Sequence, residues 1–228
     1  MTPTRIAALL AFATFTLFVS WYSSGGRPLS DREAARYLAE IERMPPEVRG
    51  GLDVTAFRRF LQNDDGLPFY NVNLFKFRAQ AHYPATAEYP AGQSGRQAFE
   101  RYSRFMLSTL PLYASHVVFG TTRTETTDWD MVATARYRSR RDFADLLVSP
   151  EFGRAVVHKW AALERNERIP AQARGLFASA YLPIGTALLL LVLGVYFFER
   201  YLWPWLRTAR QHKEKASQAG PVRISDQR

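Results

Sequence analysis

Cysteine is missing from all 228 residues, which removes disulfides, thiolate metal sites, iron–sulfur clusters and cysteine nucleophiles together. The four histidines, His82, His116, His158 and His212, stand too far apart in sequence for a metal-ligand spacing. No Gly-x-Ser-x-Gly string is present. Gly92-Gln93-Ser94-Gly95 is short and follows no strand, unlike a phosphate loop, and Asp64-Asp65 lacks the ligand ladder of a calcium loop. Internal repeats and low-complexity tracts are absent as well. The fold must therefore stand on its core, and no metal or cofactor is implied.

Two long apolar runs are present, Ile6 to Tyr22 and Tyr181 to Phe198. At about 1.5 Å per residue the first spans about 26 Å, near the lower limit for a hydrocarbon core, and the second is slightly longer. Pro183 falls in the first turn of the second run, where a missing N–H breaks no helical bond. Trp21, Tyr22 and Tyr181 at one side, with Tyr196, Tyr201, Trp203 and Trp205 at the other, suit aromatic belts at headgroup level. Arg5 precedes the first run, and Arg200, Arg207, Arg210, Lys213 and Lys215 follow the second. Lys and Arg near a span stay on the cytoplasmic side, so both termini read as cytoplasmic and the middle as extracytoplasmic. A cleaved signal peptide is the competing reading for the first run, since Ser23, Ser24, Gly25 and Gly26 follow it. The length of the run and the lack of Ala-x-Ala favour an uncleaved anchor.

The formal charge of +9 is concentrated at the end: residues 199–228 carry seven basic and three acidic side chains, +4 of the total. A basic segment beside a span contacts anionic lipid, at about 1 kcal/mol per Lys or Arg near the surface. The remainder has no block of like charge, which argues against nucleic acid as a partner.

Between the runs the period of the pattern changes. Ser30 and Glu33 form a capping box, after which Ala34, Tyr37, Leu38 and Ile41 recur at helical spacing up to Pro45-Pro46. Asp53 opens a second short helix through Phe57, Phe60 and Leu61, ending at Asn63-Asp64-Asp65-Gly66. Phe69 to Arg78 reads as a strand. After a Pro- and Gly-containing loop (Tyr83 to Gly95), Ser94 and Gln97 cap a helix bearing Phe99, Tyr102, Phe105, Met106 and Leu110. His116 to Thr121 and Trp129 to Arg138 read as strands joined by a polar hairpin, Thr122 to Asp128. Ser139 and Asp142 open a helix burying Phe143, Leu146 and Leu147. Ser149-Pro150-Glu151 opens another, with Val156, Val157, Trp160 and Leu163 on one face. A short extended segment near Arg168 to Ala171 completes βαββαβ, the ferredoxin-like order of an α+β sandwich.

The string Asn71-Val72-Asn73-Leu74-Phe75-Lys76-Phe77-Arg78 with Tyr83 after it, Tyr102, Val117-Val118-Phe119-Gly120, Trp129-Asp130 leading into Ala135-Arg136-Tyr137, and Ser149-Pro150-Glu151-Phe152 resemble a family of small bacterial domains of unassigned function in the dimeric α+β barrel superfamily. The resemblance covers about residues 68 to 172 and implies a ferredoxin-like fold and a homodimer. Superfamily members include cofactor-independent monooxygenases, small-molecule isomerases and binders, so it implies no single reaction. The chain then divides into an N-terminal transmembrane anchor (1–28), a helical adaptor (29–67), the α+β domain (68–176), a C-terminal transmembrane helix (177–200) and a basic cytoplasmic tail (201–228).

On the first strand Asn71, Asn73, Phe75 and Phe77 share one face, and Val72, Leu74 and Lys76 the other. Apolar residues on both faces favour a sheet covered twice, by helices and by a second copy. A pocket against the sheet is the expected ligand site, with Asn73, Tyr102, Trp129 and Arg136 as candidate lining residues and His116 as candidate acid–base. The simpler readings are a structural His116, an Asn73 paired with backbone, core or interface positions for Tyr102 and Trp129, and a solvated face or dimer salt bridges for Arg136 and Arg138. Two functions follow: a non-catalytic domain binding a small apolar molecule or serving a membrane assembly as accessory subunit, or a cofactor-independent monooxygenase or isomerase acting on an aromatic or membrane-derived compound.

Overall fold

A computed structural model describes residues 1–23, 26–84, 89, 92–122, 124–125, 127–172 and 180–208. Ser24, Gly25, Arg210, His212, Lys213, Lys215 and part of the Tyr83 to Gly95 loop lie outside the described residues. The chain divides into two compact units, Met1–Phe18 with Ala180–Arg228, and Val19–Ser179.

In the first unit, helix α1 (Pro3–Ser23) contributes its residues up to Phe18, and α8 (Tyr181–Phe197) continues through a π-turn at Phe198–Leu202. Both helices are long and apolar enough to cross a membrane. Phe18 meets Tyr181 edge-on at 6.3 Å between ring centroids. At the other end the Thr4 amide donates to Glu199 Oε2 at 3.0 Å. The two helices therefore run antiparallel, and Gly185 leaves room for the Phe15 ring, 3.3 Å from where a Cβ would stand.

The second unit is mixed α+β. Its elements are α2 (Asp31–Glu42), α3 (Pro46–Arg49), α4 (Val54–Gln62), β1 (Phe69–Phe77), α5 (Gly95–Thr109), β2 (His116–Gly120), β3 (Met131–Tyr137), α6 (Arg140–Val148), α7 (Pro150–Ala162) and β4 (Leu163–Ala171). The strands form one antiparallel sheet in the order β2-β3-β1-β4. Local chemistry sets the helix starts. Ser30 with Glu33 and Ser94 with Gln97 form complete capping boxes, while Asp53, Ser139 and Ser149 each accept an N3 amide, which satisfies one of the orphan N–H groups. The turn before β1 is closed by Asp64, whose Oδ1 accepts the Gly66 amide at 3.2 Å with Gly66 at φ +71°.

Period-2 alternation sends Phe69, Asn71, Phe75 on β1 and Ala135, Tyr137 on β3 to the helix-covered face. There they join side chains of α5, α6 and α7 in one core. Ala34, Tyr37, Leu38 and Ile41 of α2 and Phe57 and Leu61 of α4 belong to that same core, so the helices expected as an adaptor pack with the sheet. The Tyr37 hydroxyl also donates to Asp145 Oδ1 on α6, at 2.5 Å, and burial beside that carboxylate pushes the phenol up to about 12.

Three expectations are corrected. The last strand is longer than Arg168 to Ala171: Leu163–Ala171 pairs with β1 along most of its length. It is an edge strand whose residues Glu164 to Arg168 are polar, so no apolar alternation marks it. The buried face of α7 is Phe152, Ala155, Val156 and Lys159, with Val157 and Trp160 only partly buried. The α7 stripe is thus rotated from the expected one and carries a lysine. Trp129 precedes β3 instead of beginning it.

Candidate functional site

The helix-covered sheet face does not meet the helices everywhere. Between β1 and β3 on one side and α5, α7 and the α2–α3 segment on the other lies a cavity of about 240 Å³, a little smaller than the roughly 300 Å³ at which ligand pockets ordinarily begin. Ile41, Val48, Phe75, Phe99, Met106 and Trp160 are among the residues of its apolar wall. Its polar lining residues include Asn71, Asn73, Tyr102, Tyr137, Lys159 and Arg168, together with Arg49, Ser103 and Thr134. No carboxylate lines it among the described residues.

Each polar group has a structural reason for its place. Asn71 and Asn73 are successive inward positions of β1, opposite Ala135 and Ala133 of β3, whose small side chains leave the space in front of them. The Asn73 amide donates to the Asn71 carbonyl at 3.1 Å. Asn71 is 6% exposed, and its Oδ1 has no hydrogen-bond partner among the described residues. Arg168 is the inward residue of β4 opposite Asn73. It donates to the Gly51 carbonyl at 3.3 Å, and its guanidinium lies 5.9 Å from the Trp160 ring. Trp160 is held by an indole N–H donated to the Val48 carbonyl at 3.0 Å. Gly50, at φ +53°, lies so close beneath the indole that a Cβ there would collide with it.

Lys159 is the unusual member. Its side chain is buried, at 5% exposure, and its ammonium stands 4.9 Å from the Trp160 ring, 5.5 Å from Tyr102 and 5.6 Å from Phe75. No salt bridge or hydrogen bond neutralises it among the described residues. Burial, with the nearby Arg168 charge adding to it, holds its amine well below the ordinary lysine range. Burial likewise pushes the Tyr102 and Tyr137 phenols up, and lowers Arg168. The cavity thus presents cationic and neutral donors on an aromatic wall. An amine kept uncharged there can accept a proton or attack a carbonyl, and in its protonated form it can hold an anion.

Of the residues expected at one pocket, the structure brings Asn73 and Tyr102 together at this cavity. His116, Trp129 and Arg136 are elsewhere. His116 pairs with Arg136 across β2 and β3, and both side chains project from the other sheet face. Arg136, expected on a solvated face, is 2% exposed. It donates to the Ala114 and Tyr22 carbonyls, each at 3.0 Å, with its guanidinium 3.6 Å from the Tyr22 ring. Tyr22 in turn stacks on His116 at 5.7 Å, its hydroxyl 3.4 Å from Nδ1. Burial, then the Arg136 charge, lowers the His116 imidazole. Arg138 binds Asp142 through Nε at 2.8 Å and the Trp21 carbonyl through Nη1 at 3.2 Å. These residues dock Trp21 and Tyr22 onto the sheet, a pairing with β3 that sequence periodicity had no means of showing. Trp129 is half-buried under the Arg165 guanidinium, 4.8 Å from its ring.

Sequence reading missed Lys159, Arg168, Asn71 and Tyr137. A signal existed for Lys159: it follows Val156 by three residues and so falls on the apolar stripe of α7.

The class defined here is a mixed α+β domain with a four-stranded antiparallel sheet, in a chain with two apolar helices of membrane-spanning length. Two solved structures are similar to it. The crystal structure of methylated RPA0582 protein shares 26% identity over 53% of this chain and 91% of that chain, with a TM-score of 0.48. The crystal structure of the RPA0582 protein of unknown function from Rhodopseudomonas palustris shares 25% identity over 54% of this chain and 94% of that chain, with a TM-score of 0.48. No family model and no curated protein matches the chain.

Proposed function

We propose that this protein is a two-span inner-membrane protein whose ferredoxin-like domain faces away from the cytoplasm, works as a homodimer and binds a small molecule of largely apolar body. The observation that carries the binding role is the cavity of about 240 Å³, walled by aromatic and aliphatic side chains and holding a few convergent polar groups. The strand order β2-β3-β1-β4, with helices between β1 and β2 and between β3 and β4, supports the ferredoxin-like reading and the superfamily expected from sequence. Support for the homodimer comes from the sheet face turned away from the helices. Phe119 and Ile169 lie on it at 55% and 46% exposure, with Val72 between them, an apolar surface that a second copy would bury.

The test is native mass spectrometry of the full protein, released in mild detergent from its own membrane. A dimer that retains a small bound mass is the expected result. A bare dimer, or a larger complex with other polypeptides, would move the reading to an accessory subunit of a membrane assembly. A monomer with nothing bound would refute both the dimer and the binding role. A cofactor-independent monooxygenase or isomerase using His116 as acid–base has less support, because His116 is bonded to Tyr22 and is not among the residues lining the cavity.

A further inference from the structure

The charges around the cavity narrow what it takes. Desolvating a cation without a counter-ion is costly, and buried lysines ordinarily have an acid beside them. Here Lys159 of α7 and Arg168 of β4 converge on one indole ring from two elements, and Arg49 of α3 also lines the cavity. Tyr102 of α5 and Tyr137 of β3 face the same space with hydroxyl donors. Every titratable group lining the cavity among the described residues is therefore a base or a phenol. The Asn71 amide, unpartnered at Oδ1, is free to turn either end toward a ligand.

From this arrangement we infer that the cavity is a site for a small organic anion with an apolar, aromatic-sized body, its carboxylate or enolate held between Lys159 and Arg168. The inference rests on reading the cavity as a ligand site and adds the charge of the ligand. Arg168 offers a planar fork already oriented by the Gly51 carbonyl and the Trp160 face. Lys159 supplies a point charge at the aromatic wall and takes up a proton as the anion enters, since an adjacent negative charge restores the ammonium. The body of the ligand then lies against Phe75, Phe99 and Met106. A neutral molecule of the same shape would fill the wall, leave the Arg168 charge without a partner and give Lys159 no reason to take up its proton, and that difference is the source of selectivity.

The probes are naphthoate and naphthamide, equal in shape and different in charge, titrated calorimetrically into the full-length protein in detergent near pH 7. Naphthoate is expected to bind roughly ten- to hundredfold tighter than naphthamide, the range for charge-assisted hydrogen bonds in a dry site. Lys159→Met and Arg168→Met are each expected to bring that ratio to within about threefold with naphthamide affinity little changed. Equal affinities in the wild type, or a ratio unmoved by both substitutions, would overturn the anion assignment and leave the cavity as an apolar ligand site. Binding of neither probe would count against the site and the assignment together. The wild-type ratio requires no variant, so a substitution that fails to fold leaves the test standing.

Discussion

Replacing Lys159 with methionine should make the protein more stable. The side chain is 5% exposed, touches three aromatic rings and has no acidic partner among the described residues. Keeping it charged costs desolvation of several kcal/mol, offset by cation–π attraction of about 0.5–2 kcal/mol. Keeping it neutral costs the release of a proton from an ordinary lysine at pH 7, about 4–5 kcal/mol, which bounds the penalty. Methionine has similar length, fills the same space and needs no counter-ion. A gain of about 1–4 kcal/mol is therefore expected, and at roughly 2–4 °C per kcal/mol it is measurable as a shift in Tm. The sign with pH follows from linkage. The unfolded chain holds the Lys159 proton up to the ordinary lysine range, and the folded chain loses it at a lower pH. In that window unfolding takes up a proton, so wild-type stability rises with pH, by up to about 1.4 kcal/mol per unit. The variant lacks this slope, and its advantage should shrink between neutral and alkaline pH. Thermal or urea unfolding of both proteins in the same detergent at pH 7 and pH 9, followed by tryptophan fluorescence, reads both effects. A variant less stable than the wild type by about 1 kcal/mol or more at pH 7, or a difference that does not change with pH, would refute the reasoning. A stabilised variant that has lost its preference for naphthoate is the signature of a residue kept for function at a cost to the fold.

Arg136→Met should act in the opposite sense, costing about 2–4 kcal/mol, because it strands the Ala114 and Tyr22 carbonyls in a buried place. Limited proteolysis near Trp21 and Tyr22 should accelerate in that variant, and an unchanged cleavage rate would show that the segment is held by other contacts. For topology, alkaline phosphatase fused after Ser30 should be active; an inactive fusion would reverse the assignment of sides.

Much of the local structure is written locally. Ser30, Asp53, Ser94, Ser139 and Ser149 mark the starts of five helices because capping depends on residues within one turn. The strand over 69–77 and the two apolar helices were legible for a similar reason: alternation and run length need no partner to be seen. Asn73 and Tyr102 were placed in a pocket because their types suit one, and both line the cavity.

The remainder depended on which elements meet. Arg136 alternates with Ala135 and Tyr137, the pattern of a solvated face, and only the docking of Tyr22, 114 residues away, buries the Arg136 side chain there. Lys159 reads as an interruption of an apolar helix until α7 packs on the sheet and seals it beside Arg168, a residue of an edge strand that has no apolar pattern of its own. Sequence by itself determined helix starts, one strand pattern and the two apolar helices of membrane-spanning length, since these arise from interactions a few residues long. The tertiary structure alone decided where charge is buried, because desolvation depends on everything that closes around a group, and most of that comes from distant parts of the chain.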